Sequence, residues 1–492
     1  MEPAALGTVS EQGYSTKNGR EKGIAGTKPL IIGGTTTQAS ALHHSIRPAA
    51  LSQTFVRAWE GERKKRKDSE ISLSTFFPKG TEYFYSYPVG ENSGHFNSGH
   101  PAIEEMIATR ALVCAGADVK PIVFSSAIEP PIRQIFNELG LELTQEENII
   151  ALPENITFEI CGEERNQLVK AALRKAATPG RVIMAQPFLD PELRNLYQIP
   201  PELGAWLNDK ENMPVYIPHN FLSERYACFS NGQKFASCKA TFPIPCVVKV
   251  TSSCSGDGVR ICKTMADLEQ AKTEYAKILG AILVEEFIDA DRNFGIQFGI
   301  PSDASQPIEI IGVSEQLTTA EGEFIGGIID PAHMFAEIDG VNKALLEEIL
   351  PAVREKGWYG VGGFDVLIDR KGKFYIEDPN FRMTAMTPFL CEVRSGKIKR
   401  SLVSFSAIFK GTPLDFSRKV MPIAQEGDPR QVIHIIALTE HSGVYRMNAA
   451  MLYDKENPLQ ETAMKLVEVG IESQALKLLS SHEKKFPQFP SA

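Results

Sequence analysis

The feature that most limits the possible folds of this chain is a predicted β-hairpin, GFDVLIDRKGKFYIEDPNFRM, at residues 363–383. Two apolar stretches flank the turn DRKGK, a pattern typical of antiparallel strands joined by a short turn. Asp365 lies inside the first strand. Four polar side chains close the second strand: Glu377, Asp378, Asn380 and Arg382. The hairpin therefore places a carboxylate within an apolar strand, beside a polar strand end.

This hairpin predicts a site for a metal ion and a phosphate. Asp378 and Asn380 are two residues apart and share a face of an extended strand, and Asp365 can lie beside them. Mg²⁺ prefers such oxygen ligands and often joins one or two carboxylates to substrate phosphates. Arg382, two residues further on, is able to bind a phosphate or carboxylate through two parallel hydrogen bonds. A solvated strand end with a surface turn is the alternative interpretation.

A second motif, VVKVTSSCSGDGV, predicts a phosphate-binding loop. Lys249 lies within an apolar strand, where an unpaired ammonium group is costly and a phosphate would be a suitable partner. Small residues follow, and their backbone N–H groups can approach phosphate oxygens. The candidate contacts in this loop are Ser252, Ser253, Ser255, Gly256 and Gly258. The loop lacks the P-loop pattern, and an exposed lysine on an edge strand remains the alternative.

A third motif, ILVEEFIDADRNF, begins as an apolar strand and ends in an acidic segment. Glu285 is placed to accept a hydrogen bond from an adenine amino group, and Asp291 from ribose hydroxyls. Taken by itself, an acidic strand end is more often a solvated edge.

Length and composition restrict the class of protein. The 492 residues exceed one ordinary domain and suggest two to four. The net charge of −9 argues against a general nucleic-acid binder. No apolar run is long enough to span a membrane, and the N-terminus lacks a signal-peptide core, so we expect a cytoplasmic protein without nucleic-acid or membrane partners.

The pattern of strands and helices divides the chain into four predicted parts. Residues 1–27 are expected to be a flexible leader. Strands alternate with helices over residues 28–205, beginning with the strand KPLIIGG, and indicate a parallel α/β domain. Residues 206–400 contain the three motifs and antiparallel strands, which are typical of an α+β region. Residues 401–492 are expected to form a C-terminal cap or partner-binding extension.

The three motifs occur in an order that resembles the ATP-grasp superfamily: a lysine and glycine loop, a helix, an acidic hinge strand, antiparallel strands, a helix, and then Asp…Asp-x-Asn-x-Arg. The resemblance covers residues 206–400 and implies an ATP-grasp fold. By this resemblance Asp365, Asp378 and Asn380 are metal ligands, Arg382 and Lys249 are catalytic cations, and residues 252–258 cover the phosphates.

Other positions are carried over from the same resemblance. Lys210 matches an earlier nucleotide-contacting lysine, although Lys234 and Lys239 are alternatives. The adenine hinge corresponds to Glu285, Glu286, Phe287 and Ile288. Glu315 and Gln316 are expected near the acceptor substrate. The family has Glu where Asp378 stands, so either Asp378 is the ligand or the strand bulges and Glu377 takes its place; Asp378 is preferred because it shares a face with Asn380.

The resemblance implies a carboxylate–amine ligase that uses ATP and Mg²⁺ or Mn²⁺. Such an enzyme converts a carboxylate into an acyl phosphate, which an amine then attacks with release of phosphate. An amino acid or peptide substrate and a homodimer are expected by analogy. An ATP-grasp kinase acting on a hydroxyl group, or a nucleotide-binding scaffold without turnover, are the alternatives.

Overall fold

The computed structural model describes most of the chain from residue 71 onwards. The described ranges are 71–86, 101–141, 143–154, 156, 162–185, 191–253, 258–319, 322–332, 334–335, 339–426, 432–454 and 458–481. The predicted leader and the predicted strand KPLIIGG lie outside these ranges.

Short, mostly buried strands form three sheets in the described part of the chain. The first sheet contains β1 (Tyr83–Ser86), β2 (Val119–Val123), β3 (Ile150–Ala151) and β4 (Val182–Met184). Its order is β3-β2-β1-β4 and every pairing is parallel. The predicted parallel α/β arrangement of this region is therefore confirmed for the described residues.

The second sheet is small and antiparallel. It contains β5 (Arg225–Phe229), β6 (Cys246–Val250), β7 (Val259–Cys262) and β8 (Ile282–Glu286), in the order β5-β8-β6-β7. The predicted strands CVVKV, VRICK and AILVEEFI correspond to β6, β7 and β8. This sheet has a core of its own, in which Phe235 and Leu268 are completely buried against the strands.

The third sheet has eight antiparallel strands and carries the predicted hairpin. Its strands are β9 (Ala290–Ile300), β10 (Glu309–Thr318), β11 (Phe324–Ile329), β12 (Gly360–Asp369), β13 (Phe374–Asn380), β14 (Ser401–Lys410), β15 (Ile433–His441) and β16 (Val444–Tyr453). Their order is β13-β12-β9-β10-β11-β14-β16-β15. Strands from residues 401–453 thus continue the sheet that holds the hairpin, through the pairing of β11 with β14.

Helices cover the sheets and are mostly short. The α-helices are Pro101–Ala108, Pro130–Glu138, Gly162–Ala176, Pro201–Asn208, Gly232–Ala236, Met265–Tyr275, Asp339–Ala344, Leu350–Glu355, Thr387–Arg394, Pro413–Lys419, Met421–Ala424, Leu459–Glu468 and Gln474–Ser480. A π-helical turn, Leu345–Ile349, joins two of them. Within the described part of the chain, no helix is both long and apolar enough to cross a membrane.

A buried polar cluster ties the first α/β layer to the end of the large sheet. Glu105 is 0% exposed and lies 3.1 Å from Arg165 Nη2 and 2.6 Å from His441 Nε2. A buried carboxylate is tolerated only with such partners. His441 ends β15, so this contact joins residues that are 336 positions apart in the sequence.

The helix Met265–Tyr275 begins with a cap that its sequence predicts, with Thr264 as the N-cap residue and Asp267 at the reciprocal position. Thr264 Oγ1 accepts a hydrogen bond from the N–H of Asp267, and the Asp267 carboxylate accepts one from the N–H of Thr264. This reciprocal capping box gives hydrogen-bond acceptors to two backbone N–H groups at the helix N-terminus that have no acceptor within the helix.

We expect Thr264→Ala to lower the free energy of unfolding by about 1 kcal/mol, because the cap is lost. Urea denaturation followed by circular dichroism measures this change. Thr273→Ala, on an exposed position of the same helix, is the control and should cause no loss. Equal stability of Thr264→Ala and the wild type would contradict the role of the cap.

Candidate active site

The candidate site lies where the small sheet meets the end of the hairpin in the large sheet. Lys249 on β6 is 7% exposed and donates a hydrogen bond to Glu377 Oε2 on β13 at 2.5 Å. Lys249 also forms an ion pair with Glu285 on β8, the neighbouring strand of its own sheet. One ammonium group therefore bridges two carboxylates that belong to different sheets.

The register of the hairpin brings the predicted oxygen ligands together. Asp365 pairs with Asp378, and Gly363 pairs with Asn380. Because directly opposed residues of antiparallel strands share a face, Asp365, Asp378 and Asn380 point to the same side of the large sheet. Gly295 opposes Asp365 on β9, and a Cβ at this position would lie 3.3 Å from Gln316 Nε2 and 3.3 Å from Ser314 Oγ, so a side chain here would crowd the polar groups around Asp365.

A β-bulge explains how two consecutive carboxylates reach the site. Asp365 pairs with Asp378 but Val366 pairs with Ile376, so Glu377 is the extra residue of β13. Without a bulge, Glu377 and Asp378 would point to opposite faces. Both alternatives from the sequence thus have a structural counterpart: Asp378 keeps the face of Asn380, and the strand bulges at Glu377. Which carboxylate is the main metal ligand stays a prediction.

Lys210 is the earlier lysine that lies at the site. It is 2% exposed, and its Nζ is 2.9 Å from Asp378 Oδ1 and 3.1 Å from the carbonyl oxygen of Ser253. Lys234 and Lys239, the two alternatives, are exposed to solvent. Lys210 therefore connects the phosphate loop to the hairpin.

Of the two predicted acceptor contacts, only Gln316 lies on the face of Asp365. Gln316 Nε2 donates to Asp365 Oδ1 at 2.6 Å. Glu315 occupies the opposite face of β10, because it opposes Phe294, whereas Ser314 opposes Gly295. Its carboxylate pairs instead with Arg292 at 3.2 Å.

The predicted adenine hinge follows β8. Glu285 is buried and already paired with Lys249, whereas Glu286 is half-buried and its carboxylate accepts a long hydrogen bond of 3.4 Å from the N–H of Glu224. Phe287 is half-buried and Ile288 is buried, and both directly follow β8. Asp291, the predicted ribose contact, is exposed.

The phosphate loop is described at its two ends. Ser253 is buried and its hydroxyl donates to the Val250 carbonyl at 2.9 Å, whereas Ser252 is half-buried. Gly258 has φ +72°, a conformation that favours glycine, and its carbonyl accepts from the N–H of Val250. The candidate contacts Ser255 and Gly256 lie outside the described residues.

Burial and charge change the acidity of the clustered groups. Desolvation, reinforced by the Asp378 charge, raises the pKa of Asp365 to about 7, although Gln316 opposes this shift. Desolvation also raises the pKa of Glu377 to about 7, against the opposing effect of Lys249. For Lys249, burial would lower the pKa, but the Glu285 and Glu377 carboxylates outweigh it and raise the pKa above its ordinary value.

A pH dependence of stability follows from Asp365. Its carboxyl group binds a proton more tightly in the folded state, so its contribution to the free energy of unfolding falls as pH rises from about 4 to about 7. We therefore expect Asp365→Asn to gain stability relative to the wild type over this range, by about 1.4 kcal/mol for each unit between the folded and unfolded pKa values.

Urea denaturation at several pH values, in buffer with a chelator, measures this difference. Glu348→Gln removes an exposed carboxylate and serves as the control, for which the difference from the wild type should not vary with pH. A constant difference between Asp365→Asn and the wild type from pH 4 to pH 8 would contradict the raised pKa.

The donor set fits a metal ion that is shared with a phosphate-bearing ligand. Within the described residues, no group of three or more His, Cys, Asp or Glu side chains forms a self-contained metal cage. Asp365, Asp378 and Asn380 instead offer an incomplete set of hard oxygen ligands, which suits Mg²⁺ because this ion commonly completes its octahedron with phosphate oxygens and water.

Arg382 is the remaining predicted cation. It is half-buried, and its guanidinium donates to the Met383 carbonyl at the long distance of 3.5 Å. In the described part of the chain it has no ion-pair partner, unlike Lys210 and Lys249. Sequence reasoning missed its surroundings, which include Met184 and Gln198 from distant parts of the chain, because no local pattern connects them.

Comparison with known proteins identifies one matching family model and several similar curated sequences. A family model described as L-aspartate--L-methionine ligase, ATP grasp, matches residues 227–380. A D-alanine--D-alanine ligase of Geotalea uraniireducens (strain Rf4) is 30% identical over 159 residues, which are 32% of this chain and 49% of that protein. Biotin carboxylase 2, chloroplastic, of Populus trichocarpa is 25% identical over 150 residues, 29% of this chain and 28% of that protein. The chain thus matches about half or less of the length of these curated relatives.

A solved structure resembles a larger part of the chain. The complex of biotin carboxylase with β-γ-ATP from Campylobacter jejuni aligns with a TM-score of 0.50 and 11% identity, over 81% of this chain and 95% of that chain. At this low identity the similarity concerns the fold alone. The sequence match at residues 227–380 contains β6, β8, β12 and β13, and therefore every strand that carries Lys249, Glu285, Asp365 or Asp378; it ends two residues before Arg382.

Proposed function

Because this chain has the ATP-grasp fold, we propose that it is an ATP-dependent carboxylate–amine ligase that activates a carboxylate as an acyl phosphate and joins it to an amine. The observation that carries the proposal is the clustering of two buried lysines with four carboxylates: Glu285, Asp365, Glu377 and Asp378. Each buried charge costs free energy even when it is paired, and we therefore attribute the set to the binding of charged ligands.

The chemistry needs positive charge because all of the reacting groups are anionic. An oxygen of the substrate carboxylate attacks the γ-phosphorus, the bond from that phosphorus to the β–γ bridging oxygen breaks, and ADP leaves. In this proposal Lys249 and Lys210 bind phosphate oxygens, and Arg382 holds the carboxylate. A Mg²⁺ ion held by Asp365, Asp378 and Asn380 would neutralise the β- and γ-phosphates.

The second step exchanges phosphate for an amine. The amine nitrogen attacks the acyl carbon, the bond from that carbon to the phosphate oxygen breaks, and the nitrogen loses a proton. Phosphorylation is required because oxide is a very poor leaving group, whereas phosphate is a good one. Residues 252–258 cover the phosphates in this proposal and exclude water, which would hydrolyse the acyl phosphate.

Several finer points belong to the same proposal. The substrates are an amino acid or peptide on each side, Mn²⁺ can replace Mg²⁺, and the enzyme acts in the cytoplasm, as a homodimer. The similarity to a family described as L-aspartate--L-methionine ligase supports amino acid substrates.

Release of ADP and phosphate over a panel of paired amino acids, with mass spectrometry of the products, tests the function. We expect ADP formation that requires both a carboxylate and an amine, and a product equal to their sum minus water. ADP formation with a single co-substrate and a phosphorylated hydroxyl would indicate a kinase instead. Nucleotide binding without any turnover across the panel would indicate a scaffold.

A further inference from the structure

A narrow cavity of about 30 Å³ lies beside Arg382, between the first parallel sheet and the start of β12. It is separate from the space between Lys249 and the hairpin carboxylates. Six of the residues that line it define its walls: Tyr85, Met184, Gln198, Gly204, Trp358 and Phe381. Tyr85 and Met184 lie at the carboxyl ends of the parallel strands β1 and β4, where ligands of α/β sheets commonly bind.

The cavity walls are mostly apolar, and two of their polar side chains, Arg382 and Gln198, keep an unused capacity to bind a ligand. Arg382 is the only charged residue that lines the cavity, and it has no ion-pair partner within the described residues. Gln198 donates through Nε2 to the Tyr359 carbonyl at 3.1 Å, but its buried Oε1 accepts no hydrogen bond from the described part of the chain.

Asn208, the other amide in the wall, contrasts with Gln198. It accepts from the N–H of Phe381 at 2.9 Å and donates to the Gly204 carbonyl at 2.7 Å. The open positions in the cavity are therefore one cation and one acceptor. A water molecule would satisfy Gln198 but not the charge of Arg382, whereas an α-amino acid supplies both a carboxylate and an N–H donor.

Arg382 also connects this cavity to the reacting groups. Its N–H donates to the carbonyl of Asn380 at 2.8 Å, directly after the predicted metal ligands on β13. A carboxylate held by the Arg382 guanidinium would lie at the junction between the cavity and the phosphate site. The rest of the same molecule would extend into the cavity.

We propose that this cavity binds the side chain of the amino acid whose carboxylate is activated, and that it selects a small apolar side chain. The proposal rests on the proposed ligase function. The available volume holds about two water-sized groups. An acidic side chain would be desolvated there without a second cation, and an aromatic one would exceed the space.

Met184 and Gly204 provide opposite changes of cavity size. Met184→Ala removes part of one wall and enlarges the cavity. A Cβ at Gly204 would lie 2.9 Å from Met184 Cε, so Gly204→Ala crowds this flexible side chain and narrows the cavity. Val182→Ala is the matched control, since it truncates a fully buried residue of β4 that does not line the cavity.

Hydroxylamine trapping identifies the activated amino acid, because hydroxylamine converts an acyl phosphate into a hydroxamate. With single amino acids, we expect the wild type to form hydroxamate fastest from alanine or valine, and slowly from aspartate or phenylalanine. Met184→Ala should raise kcat/KM for leucine or methionine relative to alanine by about tenfold or more, and Gly204→Ala should lower it for valine. Val182→Ala should leave the preference unchanged.

Preference of the wild type for aspartate, or the same selectivity in Met184→Ala as in the wild type, would overturn the proposal. Calorimetry with amino acids and a non-hydrolysable ATP analogue separates this failure from failure of the ligase function. Suppose that no acyl phosphate forms, that alanine still binds, and that Met184→Ala shifts binding towards leucine. The cavity assignment then stands, and the ligase function fails. Absence of any amino acid binding overturns the cavity assignment.

Discussion

Replacing Asp378 with asparagine is expected to reduce ATP turnover by a factor of about 10³ or more while the protein remains folded. Asp378 opposes Asp365 across the hairpin and shares its face with Asn380, so its carboxylate is central to the proposed metal site. Asparagine keeps the size of the side chain but removes the charge that holds a divalent ion. Rates of ADP release at saturating ATP and Mg²⁺ measure the loss, and circular dichroism checks the fold.

Two further variants make this result specific. Glu355→Gln removes an exposed carboxylate elsewhere and should retain full turnover. Glu377→Gln tests the neighbouring carboxylate, which the bulge also directs into the site. If Asp378→Asn is active and folded whereas Glu377→Gln is inactive, the metal role belongs to Glu377.

The second large effect is expected for Lys249→Ala, which should weaken nucleotide binding by about 100-fold, equivalent to about 2.7 kcal/mol. Lys249 is the buried cation that faces the hairpin from the small sheet, and the proposal assigns it to phosphate oxygens. Its loss also leaves Glu285 and Glu377 without their shared counter-ion, so the free energy of unfolding should fall by about 3–5 kcal/mol. Calorimetry with ATP and Mg²⁺, well below the unfolding temperature, measures the affinity.

A double variant separates the two consequences. Lys249→Ala combined with Glu377→Gln removes one of the stranded charges and should recover part of the stability but none of the nucleotide affinity. Lys263→Ala, an exposed lysine just after β7, is the charge-matched control and should bind ATP normally. Unchanged ATP affinity in a folded Lys249→Ala protein would remove the phosphate-binding assignment.

The parts of this site that the sequence predicts are those encoded within one segment. The alternating pattern of the hairpin predicts which residues share a face, and the structure pairs Asp365 with Asp378 as that pattern requires. The apolar strand around Lys249 and the capping residues of the following helix are local in the same way. The alternation along β10 predicts that Ser314 and Gln316 share a face. That this is the face of Asp365 depends on the register of β10 with β9, which the sequence does not give.

The contacts that sequence reasoning could not provide depend on long-range packing. The partners of Lys249 come from β8 and β13, and their approach is set by how the two sheets meet. The sequence pattern of the predicted extension does not show where β14 belongs, because β14 lies beside β11 through the pairing of Ile328 with Val403, which are 75 residues apart. Strand β16 then pairs with β14. The segment LQETAMKLVEVGIESQALKLL at residues 459–479 has the pattern of one helix, but the structure divides it at Gly470, whose φ of +97° ends the first of two shorter helices.

The paired charges at the site have a consequence for the order in which ligands bind. Lys249 and Lys210 are each already neutralised by a hairpin carboxylate. A triphosphate that arrives alone would capture the lysines and leave Glu377 and Asp378 uncompensated, whereas a divalent cation that arrives alone would do the reverse. When both ligands bind, the lysines pair with the triphosphate and the carboxylates pair with the cation, so no buried charge is left without a partner. Nucleotide and cation should therefore bind with positive cooperativity, each raising the affinity for the other by the same factor.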